Sequence, residues 1–235
     1  MKKLMGLVVA VAVLAPSVAS AQVVVTGARQ DRSAANVYFS GNSDASAIGL
    51  TRKADFFVKP LFVSSDTRNA DERKGEVTTM LREAIAAARA QNISLVAGSY
   101  TLEPLTEQSL ETLTYGRGNR PDTTRVTIYA RIPVGGSMNS TEEADKRISP
   151  FVKSIPANGR SFIDTGKTSL AITDPDQYRL EVVKAIAREA RSYSTQFGSD
   201  YGVEIRGLDT ELFWQQSSET EVFLYIKHNF VIKPK

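Results

Sequence analysis

The stretch FFVKPLFVSSDTRNADERKGEVTTMLREAIAAARAQNISLVA, residues 56–97, decides the fold. In its first part Phe56, Phe57, Val58, Leu61, Phe62 and Val63 put apolar side chains on both faces, which predicts a strand covered twice. Pro60 has no amide hydrogen to give and points to an edge position or a bulge. At Asn69 the period changes from two to three and four. Val77, Met80, Leu81, Ala84, Ile85 and Ala88 then fall on one side of a helix over residues 69–91. Asn69 suits the N-cap, and Asp71 and Glu72 set negative charge against the positive end of the helix dipole. From Ile93 the chain returns to strand character as far as Pro104. A helix laid on a sheet is the result.

Outward from this unit the order repeats. Residues 106–123, with Gly116, Gly118 and Pro121, read as a long exposed connection. Val126, Ile128, Ala130 and Ile132 alternate with Arg125, Thr127, Tyr129 and Arg131, the period of a half-buried strand. Gly135-Gly136 ends it. Ser140 and Glu143 make a capping box before a helix with Ala144, Ile148, Phe151, Val152 and Ile155 inside. Pro150 should kink that helix or end it early. Residues 160–172 read as a polar strand region. Asp174 as N-cap and Pro175 in the first turn open a third helix, with Tyr178, Val182, Ile186, Ala190, Tyr193 and Phe197 inward and Gly198 closing it. A strand at Tyr201, Val203 and Ile205, a turn at 207–210 and a short strand at 212–214 follow. The chain finishes on one long strand with Val222, Leu224, Ile226, His228, Phe230 and Ile232 along one side. Several neighbouring strands have connections too short for a crossover helix. The class is therefore α+β, with mixed or mainly antiparallel sheets and helices packed on their faces.

The N-terminus reads as an export signal. Lys2 and Lys3 precede an apolar run at 7–15, Pro16 breaks it, and Ala19-Ser20-Ala21 supplies small residues for cleavage after Ala21. The run is too short to span a bilayer. A signal peptide over 1–21 directs the chain to the periplasm in a bacterium with two membranes. Residues 22–50 hold a short β-prone run, Val23-Val24-Val25-Thr26, and a flexible arm at 28–49; residues 51–235 form the α+β domain. No later segment is apolar enough to cross a membrane, so none is expected in the mature chain.

The 235 residues include 29 basic and 26 acidic side chains, a formal net charge of +3. Loss of Lys2 and Lys3 takes two from that +3 and leaves +1. A nearly neutral chain gives no electrostatic case for nucleic acid or anionic lipid. Absence of cysteine excludes disulfides, thiolate metal sites and cysteine nucleophiles, and a single histidine excludes a multi-histidine metal site within one chain. Thr165-Gly166-Lys167-Thr168-Ser169 looks like the end of a phosphate loop, but Ser161 stands where that loop needs glycine, and strand character follows the lysine. His228 lies on the apolar side of the last strand, and no G-x-S-x-G elbow presents a serine to it. Asp174 reads as a cap, and Glu219 and Glu221 as the solvent side of a strand. No catalytic, cofactor-binding or metal-binding residue is assigned. The aromatic group Phe213, Trp214, Phe223 and Tyr225 is different. Phe223 and Tyr225 lie opposite Val222, Leu224 and Ile226, so the strand must be covered twice, once by something else. Trp214, Phe223 and Tyr225 are the candidate partner surface.

The unit from Asp55 to Ile93, the strand at 124–132, the helix around Ala185-Ile186-Ala187-Arg188-Glu189-Ala190-Arg191, the sequel Phe197-Gly198-Ser199-Asp200-Tyr201-Gly202-Val203 and the terminal strand at 221–232 resemble the SIMPL domain family of bacterial periplasmic and secreted proteins. The resemblance covers about residues 50–232. The arm at 28–49 and the charged Thr51-Arg52-Lys53 depart from it. It implies an α+β fold, self-association in some members and an envelope or stress-related role, and it carries over no catalytic residue. The leading expectation is an exported, non-enzymatic protein that acts as a homo-oligomer or on an envelope protein partner. Gln22-Val23-Val24-Val25-Thr26-Gly27 looks like a segment near the start of TonB-dependent receptors, so an accessory role in outer-membrane uptake is the alternative. A periplasmic hydrolase using Asp, Glu and Ser side chains is the third.

Overall fold

The structure, a computed structural model, describes residues 48–98, 102–118, 120 and 122–235, with the backbone of residues 23 and 24. The signal segment at 1–21 and nearly all of the arm at 28–49 lie outside the described residues. Strand β3 (Phe56–Ser65) is the centre of an eight-stranded sheet that also holds β1 (Val23–Val24), β4 (Ser94–Ala97), β5 (Glu103–Pro104), β6 (Gly116–Arg117), β7 (Thr124–Pro133), β8 (Ser161–Thr165) and β9 (Ser169–Thr173). Its main path runs β1-β9-β3-β7-β4-β5, and every pairing is antiparallel.

Pro60 is thus inside the sheet, not at an edge. On one side β3 pairs with β7 along its full length. On the other it pairs first with β9, from Phe56 to Val58, and then with β8, from Leu61 to Ser65. Pro60 falls in the gap between the two pairings, where its C=O accepts the Gly166 N–H (2.9 Å) and neither β8 nor β9 calls on its missing N–H. The polar region at 160–172 is accordingly two strands joined at this point.

Helices α1 (Ala70–Gln91) and α2 (Thr141–Ser154) cover one face of the sheet. Asn69 caps α1 as expected, accepting the Asp71 N–H (2.8 Å) and Glu72 N–H (3.2 Å) through Oδ1. Val77, Leu81 and Ala84 meet Leu61, Val63, Ile128 and Ala130, and Ile148 and Phe151 of α2 close the same cluster. Each large aliphatic or aromatic side chain buried there contributes about 1.5–3 kcal/mol. Ser140 caps α2 through the Glu143 N–H (3.2 Å), while Glu143 reaches back to the Asn139 N–H (2.7 Å) instead of the cap residue. Pro150 does not end α2. The helix runs on to Ser154, with Ile148 and Phe151 fully buried on either side of the proline.

A second layer is built on α3 (Arg179–Phe197), a three-stranded sheet of β2 (Gly49–Lys53), β11 (Leu212–Gln216) and β12 (Glu221–Ile226), and a two-stranded ribbon of β10 (Tyr201–Arg206) and β13 (Asn229–Pro234). Val182 and Ile186 pack with Val222, Leu224 and Ile226, and Phe57, Leu170 and Ile172 of the large sheet complete this cluster. The fold is α+β, with antiparallel sheets and helices on their faces.

Four local expectations need correction. Asp174 does not cap a helix: its φ is 43°, its side chain makes no cap bond, and a 3-10 turn (Pro175–Tyr178) leads into α3. At the far end of α3, Tyr193 and Phe197 are 39% and 52% exposed; Tyr193 meets only the edge of the Phe230 ring (5.3 Å) and is not enclosed in the core. Residues 106–123 are no bare loop. They carry a 3-10 turn (Gln108–Thr112) and β6, and Leu110 is buried under them. The long final strand is two strands in different sheets. The pairing is interrupted at Lys227 and His228, where Nδ1 of His228 meets the Ile226 C=O (2.7 Å) and a Cβ on Gly207 (φ +89°) would lie 2.6 Å from the Lys227 oxygen.

Candidate partner surface

Register decides which aromatic residues face outward. Phe213 is opposite Tyr225, Trp214 opposite Leu224, and Gln215 opposite Phe223. Side chains alternate across a strand, so Trp214 shares the inner face with Val222, Leu224 and Ile226, and Phe213 shares the outer face with Phe223 and Tyr225. Trp214 is 8% exposed and lies in the core beneath the sheet. It is therefore withdrawn from the partner surface, and Phe213 takes its place. Among the described residues no acceptor meets the Trp214 Nε1–H.

The three outer rings form a row. Phe213 and Tyr225 stack at 5.7 Å with 24° between planes, and Tyr225 and Phe223 at 6.0 Å with 21°. The Lys227 ammonium sits 4.9 Å over the Phe213 ring and closes one end. Each neighbouring pair contributes about 0.5–1.5 kcal/mol beyond its buried area. On β2, Gly49 lies opposite Tyr225 and Thr51 opposite Phe223. A Cβ on Gly49 would stand 2.5 Å from the Phe223 ring and 2.3 Å from the Leu224 oxygen, so only glycine lets the ring lie down on the strand. Gly49→Ala should cost about 1–3 kcal/mol by overpacking, read as a lower urea midpoint with an altered near-ultraviolet dichroism. The row is three half-buried rings and one cation on the outer face of the three-stranded sheet.

The residues singled out for chemistry do not converge. Gly166 and Thr168 sit in the β8–β9 turn with a strand, not a helix, after them. Asp176 pairs with Arg179 (3.1 Å) on the surface. Glu219 accepts the Thr141 N–H (3.3 Å) at the start of α2, and Glu221 meets the Ser218 hydroxyl (3.3 Å). No three acidic or histidine side chains among the described residues are grouped to hold a metal ion. Val23 and Val24 of the proposed uptake segment pair with Thr173 and Ile172 of β9, while residues 22 and 25–27 lie outside the described residues.

Two polar clusters have no counterpart in the sequence reading. The Lys59 ammonium is nearly buried and pairs with Asp145 of α2 (2.8 Å), which also accepts the Thr168 hydroxyl. This cluster ties α2 to the central strand. In the second, Glu76 of α1 accepts the hydroxyls of Ser65 (2.5 Å) and Thr67 (2.9 Å) and the Arg160 N–H (3.2 Å). Partial burial pushes the Glu76 carboxyl up, but the hydroxyl and amide bonds together outweigh it and hold the group below its ordinary value of 4.5.

The chain matches no family model, no curated protein and no solved structure. No helix among the described residues is long and apolar enough to cross a membrane.

Proposed function

We propose that this is an exported, SIMPL-like protein of the bacterial envelope that acts by self-assembly and partner binding, not by making or breaking bonds. The outer row of Phe213, Phe223 and Tyr225 carries the reading: three half-buried rings stacked along the outer face of the three-stranded sheet. A second protein surface would cover the ring area that the described residues leave open. The periplasm is the place where the leader at 1–21 would deliver the chain. Treating intact cells with an amine-reactive crosslinker should yield bands at multiples of the chain's mass, and N-terminal sequencing of the periplasmic protein should begin at Gln22. Uncrosslinked protein that retains Met1 in the cytosol would contradict both halves.

A further inference from the structure

Among the described residues strand β13 has one edge paired and one open, and the hydrogen bonds show which groups line the open one. The Lys235 N–H donates to the Asp200 C=O (2.8 Å), and Tyr201 stands opposite Pro234. Bonding and non-bonding residues alternate in an antiparallel ladder. Asn229, Val231 and Lys233 therefore turn their peptide groups to β10, and Phe230, Ile232 and Pro234 turn theirs away. Tyr201 agrees with this parity, since its N–H goes to Gly198 (3.3 Å) and its C=O takes the Ser194 hydroxyl (3.3 Å). The ribbon has only two strands, and no described strand pairs beyond β13. A two-stranded ribbon is marginal by itself, and an open edge is a template for another strand.

We propose that this edge joins two copies of the chain, β13 against β13, about a two-fold axis at Val231. The proposal rests on the self-assembly reading and supplies it with an interface. The strand complements itself. With Val231 opposite Val231, Phe230 falls opposite Ile232 of the second copy and Ile232 opposite its Phe230. Each of these residues carries an outward N–H and C=O, so both pairs exchange both bonds. Asn229 then meets Lys233, with no like charges opposed, and Pro234 ends the ladder where it has no N–H to give. Other registers do worse. Centring on Lys233 sets lysine against lysine, and centring on Ile232 puts Pro234 where Phe230 needs a donor.

Side chains agree with the backbone. Ile232 is 38% exposed and lies with Phe230, Val203 and Ile205 on the apolar side of the ribbon, where Phe230 packs edge-on against Tyr193 of α3 (5.3 Å). Lys233, which would otherwise guard the edge, is tied back across the ribbon to Glu204. A two-fold pair makes one continuous sheet, β10-β13-β13-β10, with both α3 helices on the same face.

The native chain contains no cysteine, so Val231→Cys gives a single thiol on the proposed axis. Directly opposed residues of that kind have Cα atoms about 4.5 Å apart, within disulfide reach. Mild oxidation should convert most of Val231→Cys to a covalent dimer, and leave Ser218→Cys, on a distant exposed hairpin, mostly monomeric. Ile232→Pro removes an outward N–H without touching the bonds to β10, and should weaken association by roughly 30-fold. A native chain that is a monomer at every concentration would end both the self-assembly reading and this interface. Association of the native chain with no excess crosslinking at Val231→Cys would end this interface alone. The crosslinking decides the matter even if Ile232→Pro fails to fold.

Discussion

Phe57→Ala should lower the unfolding free energy by about 3–5 kcal/mol. Phe57 is fully buried at the start of the central strand, yet it packs with Leu170, Val182, Ile186 and Leu224, in the cluster that includes α3 and the three-stranded sheet. Truncation opens a cavity where the two layers meet. It removes ring surface from both, and the rigid strand pairing to β7 and β9 limits collapse into the space. Two layers that share one core should still melt in a single transition, at a lower temperature, by calorimetry. A variant that keeps the native midpoint, or one that splits into two transitions, would show that the layers are not joined through this residue.

Glu76→Ala is the second large effect. The substitution takes an acceptor from the Ser65 hydroxyl, which belongs to a fully buried residue, and from Thr67 and the Arg160 amide. Bonds to an ionised group are worth about 1.5–3 kcal/mol, and an orphaned buried hydroxyl adds to the loss, so about 3 kcal/mol is expected at neutral pH. The sign with pH follows from the carboxyl's lowered value. In the unfolded chain the group titrates near its ordinary 4.5, and in the folded chain below it. Its contribution is therefore complete above 4.5 and disappears as pH falls through the folded value. Urea midpoints of native protein and variant should be far apart at neutral pH and converge in acid. A constant gap across that range would mean that Glu76 acts by packing and not by its charge.

The first unit shows how much of the fold is legible in the sequence. Asn69, the stripe from Val77 to Ala88, and the alternation at 125–132 each depend on neighbours a few residues away, and each takes its expected place. Asp174 and Pro150 are local misreadings, but those that alter the architecture are long-range. Pro60 is tolerated inside the sheet only because β8 and β9, about a hundred residues downstream, leave a gap opposite it. The run from Val222 to Ile232 keeps its period of two through the break at Lys227, so no local signal reveals that its halves join different sheets. Trp214 reads as one of the outer aromatics because register between β11 and β12 cannot be read from composition. A shift of one residue exchanges Phe213 and Trp214 between the faces. The Glu76 and Lys59 clusters bring together residues from several elements, and nothing in their spacing announces them.

Self-assembly requires the folded chain to meet other copies of itself through sheet surfaces left open. Static light scattering of the purified native protein, diluted stepwise through the micromolar range, addresses that most directly. The predicted result is a mass above one chain that falls toward one chain on dilution, with the same curve displaced to higher concentration for Ile232→Pro. A mass of one chain at every dilution, native and variant alike, would contradict it.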